Sequence, residues 1–258
     1  RGGSDCSIDN VRFTLGSGQE LELLTTWGSS VALGVDLTGN EFAQAIVGDD
    51  GANRLDGKGG ADTMWGYAGD DTYFVDNAGD RVGGEAVGGG SDWVITKVSY
   101  TLAAGQEIEL LTTYGSAQAL GLDLTGNAFA QTIVGDDGAN RLDGKGGSDA
   151  LWGYAGQDFF AFTTALGPNN VDAIADFQPG IDKILLENDV FAGLAQGNLP
   201  PGAFNTGAGA QDADDRILYD PATGALYFDA DGAGGQAAVQ FATLSAGLSL
   251  AHTDFVVI

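Results

Sequence analysis

A nine-residue beat constrains this chain more than any other feature. From residue 39 it reads GNEFAQAIV (39–47), GDDGANRLD (48–56), GKGGADTMW (57–65) and GYAGDDTYF (66–74). Position one is always glycine. Position six runs Gln44, Asn53, Asp62, Asp71, and position eight runs Ile46, Leu55, Met64, Tyr73. The beat returns with Gln131, Asn140, Asp149, Asp158 at six and Ile133, Leu142, Leu151, Phe160 at eight. Six residues rich in Gly and Asp make a turn, and three with a central apolar side chain make a short strand. Two units then close one coil of a flattened parallel solenoid, so equivalent turns stack at strand spacing, about 4.8 Å. Position eight points inward as a thin aliphatic core, and the position-six side chains form a column down each edge.

The beat sits inside a longer repeat. Residues 4–71 align without gaps on residues 91–158 at an offset of 87, identical at 49 of 68 positions. GGSD occurs at 2–5 and again at 89–92, so the chain is expected to begin inside an array, as part of a longer parent. VRFTLGSGQELELLTTWG and VSYTLAAGQEIELLTTYG alternate apolar and polar residues and are expected to continue the solenoid without binding metal. Trp65 and Trp152, at position nine, should face outward, packed on neighbouring strand segments rather than forming a sugar platform.

A carboxylate column needs a counter-charge. Two unit charges about 5 Å apart repel by roughly 0.8 kcal/mol even in bulk water. The chain has 36 acids against 10 bases, a net charge of −26, which excludes nucleic acid and anionic membrane as partners. Glycine, 43 residues of the 258, is tolerable only where the backbone needs positive φ or close approach. The available ligands are carboxylate and carbonyl oxygens, which suit calcium; magnesium demands a rigid octahedron, and zinc would want nitrogen or sulfur. His252 and Cys6 are the only residues of their kinds, which removes histidine-rich sites, internal disulfides and most nucleophile–histidine machinery. His252 reads as a surface or turn residue. No apolar run is long enough to insert in a membrane.

With position one glycine, position six acidic and position eight apolar, these blocks resemble the repeats-in-toxin (RTX) proteins, whose nonapeptides form calcium-loaded parallel β-rolls. The resemblance implies that each ion sits between one turn and the turn two units on, held by turn carbonyls and two position-six side chains. It implies ligands from Gly57, Gly59 and Gly60 beside Asp62, and from Gly66, Ala68 and Gly69 beside Asp71. In the second block they are Gly144, Gly146 and Gly147 beside Asp149, and Gly153, Ala155 and Gly156 beside Asp158. Lys58, Lys145, Tyr67 and Tyr154 replace a glycine where only the carbonyl is needed, a harmless exchange on this reading. Gln44 and Gln131 should leave weak or empty sites, with Asn53 and Asn140 intermediate. Asp62 is expected to pair with Asp80 of the turn carrying Asp76, and Asp71 with Asp92 of the turn carrying Gly88 and Gly90. Asp172 and Asp176 are expected to close on Asp149 and Asp158.

Beyond residue 159 the beat stops. The D-x-I-x-D-F-x-x-G-x-D-K-I-x-L pattern at 172–186 resembles the segment that closes the roll in serralysin-type and other type I secreted proteins. Strands are expected near 216–220, 225–229 and 237–243, with a turn at Pro221–Gly224. Asp229-Ala-Asp231-Gly232 looks like half a calcium loop, but Gln240 stands where an EF-hand needs an acid, so it reads as a tight turn. The terminal DFVVI resembles a type I secretion signal recognised by an ABC transporter, and reads equally as a last strand.

The expected fold is all-β: a calcium-binding parallel β-roll in two blocks, capped by a C-terminal antiparallel region. The repeats divide the chain into 1–92, 93–171 and 172–258. The expected function is a calcium-binding module that folds on extracellular calcium and supports type I secretion. The parent would be secreted or on the cell surface of a Gram-negative bacterium, with any catalytic domain upstream of Arg1. The alternative is a surface-layer or adhesin component that assembles with itself or other surface proteins. A carbohydrate-binding module, like those of alginate epimerases, would need a basic stripe that the charge balance argues against.

Overall fold

A computed structural model of the chain describes residues 6–7, 12–26, 32–113, 119–207 and 209–258. Two compact units divide it, Arg1–Tyr114 and Gly115–Ile258. Each is built from two ladders of three- or four-residue strands, because every nine-residue unit has room for one such strand before the next glycine turn. No helix among the described residues is long and apolar enough to cross a membrane.

In the first unit, parallel strands Leu23–Thr25, Ala45–Val47, Thr63–Trp65 and Arg81–Gly83 stack as one ladder. Arg12–Thr14, Asp36–Thr38, Arg54–Asp56, Thr72–Val75, Trp93–Thr96 and Leu110–Thr113 stack as the other. The registers align Leu24, Ile46, Met64 and Val82 in one column, and Leu37, Leu55, Tyr73, Val94 and Leu111 in the second. Both columns are buried, so the position-eight side chains form the expected core. Each such side chain contributes about 1.5–3 kcal/mol by leaving water. The alternating segments before each block extend the same ladders.

In the second unit, Asp123–Thr125, Arg141–Asp143, Phe159–Phe162 and Lys183–Leu186 form one parallel ladder. Thr132–Val134, Ala150–Trp152 and Asp172–Ile174 form the other. The C-terminal region then closes both. Val239–Thr243 adds in parallel to Asp172–Ile174, and the terminal Phe255–Val257 adds in parallel to Lys183–Leu186. Among the described strands, Ile217–Asp220 pairs antiparallel with Ala225–Phe228, Ala225–Phe228 with Val239–Thr243, and the short Gly197–Asn198 strand with Phe255–Val257. Here the core turns aromatic: Phe241 packs edge-on against Phe162 and Phe191 at 5.0 and 5.1 Å, and Phe191 against Phe228 at 5.2 Å. Such pairs add about 0.5–1.5 kcal/mol beyond their buried area.

Candidate metal centre

A single hydrogen-bond rule organises the edges of both rolls. The N–H of each position-six residue donates to the position-six carboxylate one coil on. Gln44 donates to Asp62 at 2.7 Å, Asn53 to Asp71 at 2.6 Å, Asp62 to Asp80 at 2.9 Å and Asp71 to Asp92 at 2.9 Å. In the second unit Gln131 donates to Asp149 at 2.7 Å, Asn140 to Asp158 at 2.8 Å, and Asp149 and Asp158 to Asp172 and Asp182 at 3.0 Å each. Parallel stacking enforces this, since strands in register bring equivalent turn atoms one strand spacing apart.

The turns fall into two kinds. Where position six is an amide, the turn closes on itself. Gln44 Oε1 accepts Asn40 N–H at 3.1 Å while its amide donates back to Asn40 Oδ1 at 2.7 Å. Asn53 makes the same exchange with Asp49 (2.8 and 3.2 Å), Gln131 with Asn127 (3.1 and 2.9 Å) and Asn140 with Asp136 (2.7 and 3.3 Å). The side-chain oxygens of Asn53 and Asn140, expected as intermediate ligands, are therefore engaged by their own turns.

Where position six is aspartate, position two flips into the left-handed region: Lys58 at φ 60°, Tyr67 at 79°, Lys145 at 69° and Tyr154 at 68°. A non-glycine residue there costs about 1–2 kcal/mol of backbone strain, apart from any effect on ligation by its carbonyl. The flip removes the donor that closes the amide turns. Lys58 and Lys145 N–H groups donate to Asp56 and Asp143 instead, both at 3.2 Å, and Tyr154 N–H donates to Asp176 at 2.8 Å. In consequence Asp62, Asp71, Asp149 and Asp158 each keep an Oδ2 that is buried and has no hydrogen-bond partner. The position-one glycine makes the space. A Cβ on Gly57 or Gly144 would run into the carboxylates of Asp62 or Asp149, and one on Gly66 or Gly153 into those of Asp71 or Asp158.

The expected partners are only partly brought together. Asp80 and Asp92 sit above Asp62 and Asp71, and Asp172 above Asp149. Asp158 N–H donates to Asp182, which sequence reasoning missed, while Asp176 lies on the same turn and its charge also acts on Asp158. Asp176 accepts Gly153 and Tyr154 N–H at 3.0 and 2.8 Å, at the start of that turn. A signal was present: Asp182 immediately precedes the apolar strand Lys183–Leu186, as Asp62, Asp71 and Asp92 precede theirs, and Asp176 precedes none. Asp76 lies within its turn, where its N–H donates to Asp80 at 3.1 Å. Gly59, Gly60, Gly146 and Gly147 line the turns, where Gly60 and Gly147 need φ of 104°. Ala68 with Gly69, at φ 107°, and Ala155 with Gly156, at φ 122°, do the same one unit on. Gly90 packs against the Gly69 carbonyl so closely that a Cβ has no room, whereas Gly88 is exposed and donates to Glu107. Glu85, unremarked in the sequence, is buried beside Asp71 and Asp92.

Burial is the largest cause of the electrostatic strain in these columns, opposed by the N–H donors and increased by neighbouring carboxylates. It raises Asp62, Asp71, Asp158 and Asp172 to about 7 and Asp149 to about 8. Asp80, Asp92 and Asp182 are raised in the same way. Glu85 reaches about 9, burial outweighing its bond from Tyr73. Donor-less carboxylate oxygens, all-oxygen surroundings and absent imidazole or thiolate together fit a hard divalent cation. Trp65 is half-buried and Trp152 exposed, and His252 Nδ1 lies 2.9 Å from Leu199 O, far from this chemistry in sequence.

Residues 47–82 and 125–160 match the RTX calcium-binding nonapeptide repeat, in four copies. No curated protein matches the chain. The matched segments span all four aspartate turns. Over these residues the chain therefore carries a calcium-binding repeat, set on the parallel ladders described above.

Proposed function

We propose, taking a chain built on RTX calcium-binding repeats as the premise, that it is a calcium-triggered folding module of a secreted or cell-surface protein. On this reading the parent travels unfolded through a type I ABC transporter and folds outside the cell. The reading rests on one observation: four buried position-six carboxylates each keep an oxygen with no donor. Asp62 with Asp80, Asp71 with Asp92, Asp149 with Asp172, and Asp158 with Asp182 would hold the ions, helped by turn carbonyls. When bound, calcium supplies positive charge and accepts six to eight oxygens at flexible geometry.

The rest is done by the chain. Where calcium is scarce, carboxylate repulsion and glycine entropy disfavour the roll and leave a threadable polypeptide. A ligand that binds only the folded state stabilises it by about 1.4 kcal/mol at ten times its Kd. Consecutive turns share the N–H to carboxylate bonds described above, so ordering one coil fixes a wall of the next and folding is cooperative along the edge. The terminal Phe255–Val257 strand can be read as a signal while unfolded and then close the ladder. Far-UV circular dichroism tests this: the spectrum in EDTA at neutral pH should be largely disordered and become β-rich at millimolar calcium. A full β spectrum in EDTA overturns the reading. Calcium-dependent polymerisation in light scattering would favour a tiling surface component.

A further inference from the structure

Glu85 belongs to no nine-residue unit. Asp71 and Asp92 lie 21 residues apart, where Asp62 and Asp80 lie 18 apart. The added length carries Glu85 into the interior, where it is 2% exposed. Its N–H donates to Gln106 Oε1 at 3.0 Å, and its Oε1 accepts the Tyr73 hydroxyl. Its other oxygen, Oε2, is buried without a partner, as is Asp71 Oδ2. Ligand atoms of Asp71, Glu85 and Asp92 all lie within 4.8 Å of one another. A group of acids is ordinary by itself. Two donor-less oxygens in that same cluster, on residues 1% and 2% exposed, are not, since a buried anion demands a counter-charge.

The second block provides the comparison. At the position of Tyr73 it has Phe160, which is equally buried but carries no hydroxyl. The residues between Asp158 and Asp182 include no glutamate. The hydroxyl and the buried glutamate thus occur together in one block and neither has a counterpart in the other, where Asp176 is instead bound by the Gly153 and Tyr154 N–H groups.

We propose that Glu85 is a third carboxylate ligand, held by the Tyr73 hydroxyl, and that it makes the Asp71–Asp92 turn the tightest divalent-cation site of the chain. The inference deepens the calcium reading above. Affinity in all-oxygen sites rises with the number of charged ligands, and a carboxylate here supplements neutral turn carbonyls.

The test is calorimetric titration of the whole metal-free chain with calcium alone, for the parent, Glu85→Gln and Tyr73→Phe. Glu85→Gln should weaken one class of sites by roughly tenfold or more and leave the others in place. Tyr73→Phe, an exchange the second block already makes, should weaken the same class by less. Unchanged affinities in both variants overturn the inference. If Glu85→Gln fails to fold at saturating calcium, Tyr73→Phe decides, by weakening that class or leaving it unchanged. A calcium-bound crystal structure in which no Glu85 oxygen touches the ion beside Asp71 overturns it as well. A parent chain that binds no calcium would instead sink the function proposed above, which keeps the two failures apart.

Discussion

At the scale of single residues, position six is a two-way choice between an amide that bonds within its own turn and a carboxylate that keeps an oxygen with no donor. Asn53 and Asp62 occupy equivalent places nine residues apart, yet the amide both accepts from and donates to its own turn, and the carboxylate can only accept. Asp149→Asn should therefore shift the midpoint of calcium-induced folding to roughly tenfold higher calcium, measured by circular dichroism, without reducing the structure present in EDTA. Position two has the opposite economy. Tyr67 is 45% exposed and held at φ 79°, so its side chain gains little from packing while its backbone is strained. Tyr67→Gly should raise the urea midpoint of the calcium-bound chain, worth about 0.5–1 kcal/mol once glycine's extra unfolded entropy is subtracted.

At the scale of elements, strands of three residues are too short to stand alone, and each depends on its neighbours in the ladder. Leu142 illustrates this: it is fully buried and paired in register with Leu124 and Phe160. Leu142→Ala should cost about 2–5 kcal/mol, and thermal unfolding of the calcium-loaded chain should report it. Phe255, in the last strand, is buried against Phe204 at 5.3 Å between ring centroids. Phe255→Ala should cost about 3–5 kcal/mol, and thermal unfolding of the calcium-loaded chain should report it.

At the scale of the whole molecule, the net charge of −26 and the buried columns make stability a function of calcium and protons together. The folded values of these carboxyls lie above their unfolded ones, so protonation favours the fold. Their contribution is present in full below the unfolded value of 3.8 and is lost as pH rises to about 7, or about 8 for Asp149. In EDTA the chain should therefore gain β-structure when acidified from pH 8 to pH 5. Calcium binding should weaken over the same range as protons compete for the ligands, with proton release in calorimetry as the check.

Much of this was legible in the sequence, and the reason is periodicity. A beat of nine sets which side chains point inward and which stack at the edge, because strand pleat and coil closure are local and repeat without reference to the rest of the fold. Hence the inward columns through Leu55 and Leu142, the parallel ladders and the carboxylate edge could be read from spacing, while the pairs Asp62–Asp80, Asp71–Asp92 and Asp149–Asp172 were implied by the family resemblance. The tertiary structure decided what falls where the beat is broken. Asp182 takes the Asp158 N–H, 24 residues on, and Glu85 enters the interior from a lengthened coil, because a coil of irregular length closes wherever its strand finds its register. It also decided the left-handed turn at Lys58 and Tyr67, and with it which carboxylates are left without a donor.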